Sequence, residues 1–220
     1  MTTRLALFDC DGTLVDGQAG IVTAMEQAFA ACALPPPDRH QVRRIVGLSL
    51  PQAIGLLAPA TDEATRQAVD AAYRGAFRSA REAGTLVEPL YEGMAELITA
   101  LAGDGWVLGV ATGKSQRGLE HCLAMHGLTA QFATLQTADH HPSKPHPAMV
   151  DAALAETGAA RSACVMIGDT AFDMAMAKAA GVCGLGVDWG YHTTEELLAA
   201  GAEAVATSPA HLQELLNERS

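Results

Sequence analysis

A short apolar run near the start of the chain ends in two carboxylates, and no other stretch constrains the fold as strongly. The run extends from Leu5 to Phe8, and Asp9 and Asp11 follow before the chain turns at Gly12. A continuous apolar run of this length, bounded by a turn, is typical of a strand buried on both faces. Residues i and i+2 of an extended chain project to the same side, so we expect both carboxylates in one cleft. Because two anions repel each other, the pair indicates a site compensated by a cation or a proton.

The second part of the chain alternates strand and helix patterns. Strands are predicted at 106–112, 133–136, 163–168, 182–187 and 204–206. Helices are predicted between them at 92–102, 116–125, 147–156, 172–180 and 195–200, with one more at the end of the chain. Strands separated by single helices predict right-handed crossovers and a doubly wound parallel sheet. Ligands of such sheets lie outside the carboxyl ends of the strands, where Asp9 is already expected.

Between residues 16 and 84 only helical patterns occur. They cover residues 20–33, 39–46, 50–57 and 61–81, and the proline run 35–37 separates the first two. We therefore expect a helical insertion, residues 16–84, within an α/β core formed by residues 1–15 and 85–220. An insertion of this length is typical of a small subdomain.

Composition and charge exclude several classes of partner. The chain has 220 residues, 49% of them hydrophobic, with a net charge of −11 and a pI near 5.0. Such a negative charge argues against a nucleic acid or an anionic membrane as partner, and an anionic substrate would need local positive charge. No apolar stretch is long enough to span a bilayer, and Asp9 comes too early for a signal peptide. Five scattered cysteines predict a reducing, cytoplasmic location.

Two further motifs carry groups that suit a phosphate. Thr112 and Gly113 end the strand at 106–112, where a hydroxyl and backbone N–H groups at a helix start favour anion binding. The alternative is a simple turn with Ser115 as the helix N-cap. Lys144 follows Ser143 in a later loop and could neutralise a phosphate as a point charge. Its alternative is an ordinary exposed lysine.

That lysine loop also contains three histidines, namely His140, His141 and His146. A zinc site is one interpretation of them, but no acidic or thiol ligand is interleaved with the histidines. Surface histidines are the more common interpretation, and their role stays open.

A fourth motif again places acids at a strand end. Asp169 follows the strand at 163–168, and Asp173 comes four residues later. Either Asp169 or Thr170 could simply cap the next helix, with Asp173 favouring the helix dipole. Each motif alone has such a structural explanation. The occurrence of all four in order, each at the end of a strand, is poorly explained by coincidence.

The stretch from Asp9 to Asp16, followed by these motifs in order, resembles the haloacid dehalogenase superfamily and specifically its phosphatase branch. The resemblance covers the whole chain, and the position of the helical insertion is similar to that of the cap in phosphoglycolate phosphatases and their relatives. It implies a Rossmann-like parallel core at 1–15 and 85–220 with a helical, specificity-determining cap at 16–84. Asp11 argues against the phosphonate-hydrolysing and dehalogenating branches, where another residue usually stands.

The resemblance also implies roles for the residues that act on the phosphate. Asp9 is the expected nucleophile, forming an aspartyl-phosphate, and Asp11 is the acid/base for the leaving alcohol and for water. Thr112 and Lys144 are expected to hold the phosphoryl oxygens. The neighbouring backbone at Gly12 and Gly113 is the further candidate for phosphate binding, although many relatives have Asn where Gly113 stands.

A magnesium site is the implied cofactor site. Asp169 would bind Mg²⁺ with the Asp9 side chain and the Asp11 backbone carbonyl, and Asp173 would support the ion directly or through water. Mg²⁺ prefers oxygen ligands, which an all-Asp set supplies.

Substrate choice is expected to lie in the insertion. Arg43, Arg44 and the turn at Gly47 are the candidates to reach the leaving group. An equally acceptable interpretation makes the arginines a solvated helix face.

The expected function is Mg²⁺-dependent hydrolysis of a small phosphorylated metabolite such as 2-phosphoglycolate, by a monomer or homodimer. The alternatives are a phosphosugar mutase of the beta-phosphoglucomutase type, a pyrophosphatase or nucleotidase, and a catalytically silent binding protein. Intact Asp9, Asp11, Lys144 and Asp169 speak against the last of these.

Overall fold

Six parallel strands form the central sheet of the structure, a computed structural model that describes residues 3–219. The strands are β1 (Arg4–Phe8), β2 (Trp106–Thr112), β3 (Phe132–Thr137), β4 (Cys164–Gly168), β5 (Cys183–Val187) and β6 (Ala204–Ala206). Their order across the sheet is β3-β2-β1-β4-β5-β6, and every neighbouring pair runs parallel. The predicted α/β fold with a doubly wound parallel sheet is confirmed.

Four helices make up the helical insertion between β1 and β2. They are α1 (Gln18–Ala31), α2 (Arg39–Arg44), α3 (Leu50–Leu57) and α4 (Glu63–Glu82). A separate apolar cluster holds them together, with Met25 and Phe29 of α1 packed with Ile54 of α3 and Val69 of α4. Because these side chains are almost fully buried, the insertion has a small core of its own.

Six further helices cover the two faces of the sheet. They are α5 (Met94–Gly103), α6 (Gln116–Met125), α7 (Ala148–Thr157), α8 (Ala171–Ala180), α9 (Thr194–Ala200) and α10 (Pro209–Asn217). The predicted helices and strands all have counterparts, and their ends agree to within two residues, which is the usual uncertainty of such ends. Two short 3₁₀ helices, Thr129–Gln131 and Arg161–Ala163, precede β3 and β4 and were not predicted.

Strand β1 lies at the centre of the sheet, buried on both faces as its apolar run predicts. Phe8 pairs with Val110 of β2 on one side and with Ile167 of β4 on the other. Ala6 and Phe8 point into one apolar cluster, whereas Leu5 and Leu7 point into the cluster on the opposite face. The alternation follows from the two-residue period of a strand.

The strand order reverses beside β1, whose neighbours β2 and β4 lead away in opposite directions. Such a switch point opens a crevice at the carboxyl ends of the strands. Asp9 directly follows β1, Thr112 ends β2 and Asp169 directly follows β4. The fold therefore brings three of the predicted motifs to one edge of the sheet.

None of the helices within residues 3–219 is long and apolar enough to cross a bilayer.

Candidate active site

Three buried carboxylates converge at the switch point. One oxygen from each of Asp9, Asp169 and Asp173 lies within 4.8 Å of the others, and all three side chains are fully buried. We refer to these residues as the acidic cluster. The loops after β1 and β4 and the first turn of α8 supply its members, because parallel strands end at a common edge.

Hydrogen bonds fix the side chains of Asp169 and Asp173 in the acidic cluster. The Thr170 N–H donates to Asp173 Oδ2 at 3.1 Å and the Asp173 N–H donates to Thr170 Oγ1 at 3.4 Å, which forms a capping box at the start of α8. The Thr170 hydroxyl also lies 2.6 Å from Asp173 Oδ2. Asp169 accepts from the Thr13 hydroxyl at 2.8 Å and from the Tyr191 N–H at 2.9 Å. Thr170 therefore caps α8, as the alternative interpretation of this motif predicts, while Asp169 and Asp173 also belong to the acidic cluster.

Lys144 is the cation of the acidic cluster. Its Nζ lies 2.9 Å from Asp9 Oδ1 and 2.6 Å from Asp173 Oδ1, and its side chain is completely buried. Burial alone would lower the pKa of Lys144, but the carboxylates of Asp173 and Asp9 outweigh that effect and raise it. The lysine is therefore charged and is not the exposed residue of the alternative interpretation.

The charges of the acidic cluster fit a divalent cation. Three carboxylates face one ammonium group, which leaves two negative charges when all three are ionised. Burial raises the pKa of Asp9 to about 7 against the pull of Lys144, and burial also raises the pKa of Asp169 well above its usual range. Asp9 Oδ2 is buried and accepts no hydrogen bond from residues 3–219. An unpartnered carboxylate oxygen among acids is suited to a hard cation.

Asp11 turns away from the acidic cluster toward a second buried ion pair. Lys114 Nζ lies 2.7 and 2.9 Å from the two oxygens of Asp11 and 2.7 Å from Glu88 Oε1. Burial would lower the pKa of Lys114, but Asp11 and Glu88 hold it well above its usual value. The Asp11 side chain is thus not among the clustered ligand oxygens, and a contribution through its backbone carbonyl stays a prediction.

The predicted phosphate-binding positions Gly12 and Thr112 lie at the same edge of the sheet as Asp9. Thr112 is buried at the end of β2, and its hydroxyl accepts the Lys114 N–H at 3.2 Å. Gly12 has a φ of +87°, and a Cβ there would collide with the Asp169 carboxylate. Only glycine therefore allows the backbone to approach Asp169 so closely.

The loop of the insertion that contains Gly47 packs directly against this edge of the sheet. A Cβ built on Gly47, whose φ is +98°, would lie 3.3 Å from Thr170 Oγ1 and 3.8 Å from Asp9 Oδ2. A Cβ on Gly113 would collide with the backbone oxygens of Gly47 and Leu48. The Ser49 N–H donates to Ser143 Oγ at 2.7 Å. The insertion is therefore closed over the acidic cluster in this structure.

The two predicted substrate arginines lie apart from the acidic cluster. Arg44 forms a two-pronged ion pair with Glu196 of α9 and donates to the Tyr191 carbonyl at 3.3 Å. Arg43 is exposed on α2. His192 accepts the Ala171 N–H at Nδ1, so its Nε2 carries the proton and donates to the Arg44 carbonyl at 3.1 Å.

The three histidines of the lysine loop form no metal site with the acids of the described chain. His141 Nε2 contacts Gln136 Oε1 at 2.7 Å, and His146 Nδ1 accepts the Ala148 N–H at 3.2 Å.

Sequence reasoning missed Lys114, Glu88 and Thr13. The chain contains three lysines, Lys114, Lys144 and Lys178. Because lysines are so few, Lys114 had the same claim to a functional role as Lys144. Glu88 and Thr13 carry no comparable signal, because their roles depend on partners far along the chain.

Comparisons with known proteins agree with this geometry. Residues 6–187 match the family described as haloacid dehalogenase-like hydrolase. A relative named "Probable phosphatase IndB" from Dickeya dadantii is 40% identical over 207 residues, covering 91% of this chain and 88% of the relative. A phosphoglycolate phosphatase from Rhodospirillum rubrum is 32% identical over 215 residues, covering 92% and 86%. A crystal structure from Clostridium acetobutylicum, described as a predicted phosphatase, has a TM-score of 0.89 at 25% identity and covers 99% and 100%.

Proposed function

The chain belongs to the haloacid dehalogenase-like hydrolase family and is a phosphatase of that family acting on a small phosphorylated substrate, and from this we propose that it is a Mg²⁺-dependent phosphomonoesterase working through an aspartyl-phosphate. The observation that carries the proposal is the contact of Lys144 with Asp9 inside the buried acidic cluster. A nucleophilic carboxylate beside a fixed cation can approach a phosphate dianion without prohibitive repulsion.

Asp9 is the proposed nucleophile. One of its oxygens attacks phosphorus, the bond from phosphorus to the ester oxygen breaks, and the phosphoryl group is transferred to the carboxylate. Water then attacks the phosphorus of this acyl phosphate, which releases inorganic phosphate and restores Asp9. Splitting hydrolysis into two displacements is the advantage of covalent catalysis.

Asp11 is the proposed acid/base. It donates a proton to the departing alkoxide in the first step and accepts one from the attacking water in the second. Lys114, which itself contacts Glu88, binds both oxygens of Asp11 and so fixes the orientation of its side chain. We assign Lys114 as a positioning residue for Asp11.

The acidic cluster is the proposed Mg²⁺ site. Asp9, Asp169 and Asp173 would hold the ion, with the backbone carbonyl of Asp11 as a further ligand, and the cation would neutralise charge on the transferring phosphoryl group. Lys144 holds Asp9 and Asp173 in place through its two ion pairs.

The phosphoryl oxygens have four proposed partners around Asp9. They are the hydroxyl of Thr112, the ammonium of Lys144, and the backbone at Gly12 and Gly113. The position of Gly113 between the end of β2 and the start of α6 supports this role, since backbone N–H groups ahead of a helix favour an anion.

Residues 16–84 are the proposed specificity cap over a core of 1–15 and 85–220. Gly47 supports this, because its backbone lies against Thr170 and Asp9. The pairing of Arg44 with Glu196 favours a closing contact for this residue over a direct substrate contact. Arg43 remains a candidate for recognition of the leaving group.

The test is phosphate release from a panel of small phosphate esters, including 2-phosphoglycolate, with and without Mg²⁺. We expect Mg²⁺-dependent turnover by the parent enzyme and none by Asp9→Asn. Isomerisation of a hexose phosphate without phosphate release would instead identify a mutase. Turnover that persists in Asp9→Asn would overturn the proposed nucleophile.

A further inference from the structure

A large cavity between the insertion and the core extends from the candidate active site. Its volume is about 600 Å³, and Asp11, Thr112 and Gly113 line one end of it. Cavities of about 300–1,000 Å³ typically hold drug-sized ligands. The two-carbon leaving group of phosphoglycolate would leave most of this space empty.

One wall of the cavity is apolar and partly aromatic. Ile21 and Met25 of α1 face the space together with Tyr73 and Phe77 of α4. The two aromatic rings lie 5.0 Å apart between centroids at an angle of 44°. Apolar and aromatic surface of this kind favours a ligand with an apolar body.

The charged lining of the cavity is positive, although the chain as a whole carries a net charge of −11. The basic members are Arg74, Arg78, Arg81, Lys114 and Arg117. The acidic members are Asp11, Glu88 and Asp139. Five basic against three acidic side chains leave two net positive charges on the lining.

The excess charge is located on α4 and at the start of α6. Lys114 is already paired with both Asp11 and Glu88, and Arg74 pairs with Asp70 and lies 3.6 Å from Asp139. Arg78, Arg81 and Arg117 have no acidic partner within 4.0 Å among residues 3–219.

Arg81 lies four residues after Phe77 and three after Arg78, spacings that make side chains neighbours on a helix, and all three residues line the cavity. Arg81 Nε is buried and has no hydrogen-bond partner in the described chain. A guanidinium at the cavity wall without an acidic partner can bind an anionic ligand through its terminal nitrogens.

Building on the proposed function, we propose that the leaving group of the substrate combines an apolar or aromatic body with a second anionic group, carboxylate or phosphoryl. The body packs against Tyr73 and Phe77, and the anion binds Arg78 and Arg81. Arginine suits both anions, because its planar guanidinium donates paired hydrogen bonds to either. The substrate class is thus an anionic aryl or aryl-alkyl phosphomonoester, larger than phosphoglycolate.

The test compares esters that differ in one feature at a time. Ethyl phosphate has neither feature, benzyl phosphate has the aromatic body, and 4-carboxybenzyl and 4-(phosphonomethyl)benzyl phosphate add either anion. We expect kcat/KM to rise at each addition, by about tenfold for the better anion. The better of the two anions identifies the source of the second charge.

Charge-neutral variants locate the anion site. Arg78→Gln combined with Arg81→Gln is expected to remove the advantage of the anionic ester, so that its kcat/KM falls much more than that of benzyl phosphate. Arg66→Gln is the matched control, since Arg66 is on the same helix but does not line the cavity. It should retain the full preference.

Equal losses on benzyl and anionic esters, or a parent enzyme with no preference among them, would overturn the inference and leave the phosphatase assignment standing. The same holds if 2-phosphoglycolate is the best substrate of the series. Absence of Mg²⁺-dependent release from all esters would instead overturn the proposed function itself.

Discussion

The ammonium group of Lys114 lies 2.7 and 2.9 Å from the two carboxylate oxygens of Asp11. It also contacts Glu88, in the segment through which the chain returns from the insertion to the core. All three side chains are nearly buried, with 9%, 11% and 2% of the side chains exposed for Lys114, Asp11 and Glu88. The contact therefore joins the candidate acid/base, the loop after β2 and the return segment in one ion network.

We predict that Lys114→Met destabilises the protein and impairs turnover. The substitution leaves two buried carboxylates without a cation, a change that typically costs roughly 3–5 kcal/mol in the free energy of unfolding. Urea unfolding at neutral pH measures the loss, and kcat measures the mispositioning of Asp11. The control is Lys178→Met, which removes an exposed lysine of α8 and should change neither. Wild-type stability in Lys114→Met would show that the network does not support the fold.

We predict that Gly113→Ala lowers kcat/KM by at least about tenfold, since a misplacement of about 1 Å can cost more than that. The new Cβ would collide with the Leu48 carbonyl and lie 2.6 Å from the Gly47 carbonyl, so the insertion must move away from the core. Gly75→Ala is the control, because a Cβ on Gly75 in α4 meets no atom within 4 Å. Full activity in Gly113→Ala would mean that contact of the Gly47 loop is dispensable.

We predict that Glu196→Gln raises KM by about threefold while changing stability by less than ~1 kcal/mol, because half-exposed ion pairs contribute little. The variant breaks the ion pair between Arg44 of the insertion and α9 of the core. The insertion is then held less firmly in its closed position. Steady-state kinetics and urea unfolding measure the two effects. Glu26→Gln, which breaks the exposed Arg39 pair inside the insertion, should leave KM unchanged.

The same ion pair has a defined pH dependence. Arg44 lowers the pKa of Glu196 from 4.5 to about 2, so its contribution to stability is present above pH 4.5 and is lost as the pH falls toward 2. The difference in unfolding free energy between parent and Glu196→Gln should therefore shrink between those values. A difference that grows on acidification would contradict this assignment.

Much of the fold and of the acidic cluster could be predicted because the signals are local. Leu5 to Phe8 is apolar without interruption, as required of a central parallel strand, and Asp9 and Asp169 each follow directly on such a run. Because the strands are parallel, their carboxyl ends lie at one edge of the sheet. This alone brings Asp9 and Asp169 together, although they are 160 positions apart along the chain.

The partners of the remaining charges could not be predicted, because they depend on how separate elements dock. Lys114 and Asp11 are 103 residues apart, and Arg44 and Glu196 are 152 apart. Helical periodicity places Arg44 on a polar face of α2 but does not say whether substrate, solvent or α9 covers that face. The same limit applies to Arg78 and Arg81, whose common cavity exists only when α4 packs over the core.

We predict that Mg²⁺ raises the melting temperature of the parent protein in a concentration-dependent way. Binding to the folded state alone adds about 2.7 kcal/mol of stability at a hundredfold excess over Kd. The effect should be strong here, because an added cation relieves the repulsion among Asp9, Asp169 and Asp173, which one lysine only partly offsets.

Asp169→Asn and Asp188→Asn separate binding at the acidic cluster from general screening of a negative protein. Both remove one acidic side chain, but Asp188 is exposed and outside the cluster. We expect Asp169→Asn to respond less to Mg²⁺ than the parent, since it removes one of the three carboxylates of the acidic cluster. Asp188→Asn should respond like the parent. Equal Mg²⁺ responses in all three proteins, measured by thermal unfolding at constant ionic strength, would place the cation elsewhere and remove the acidic cluster from the mechanism.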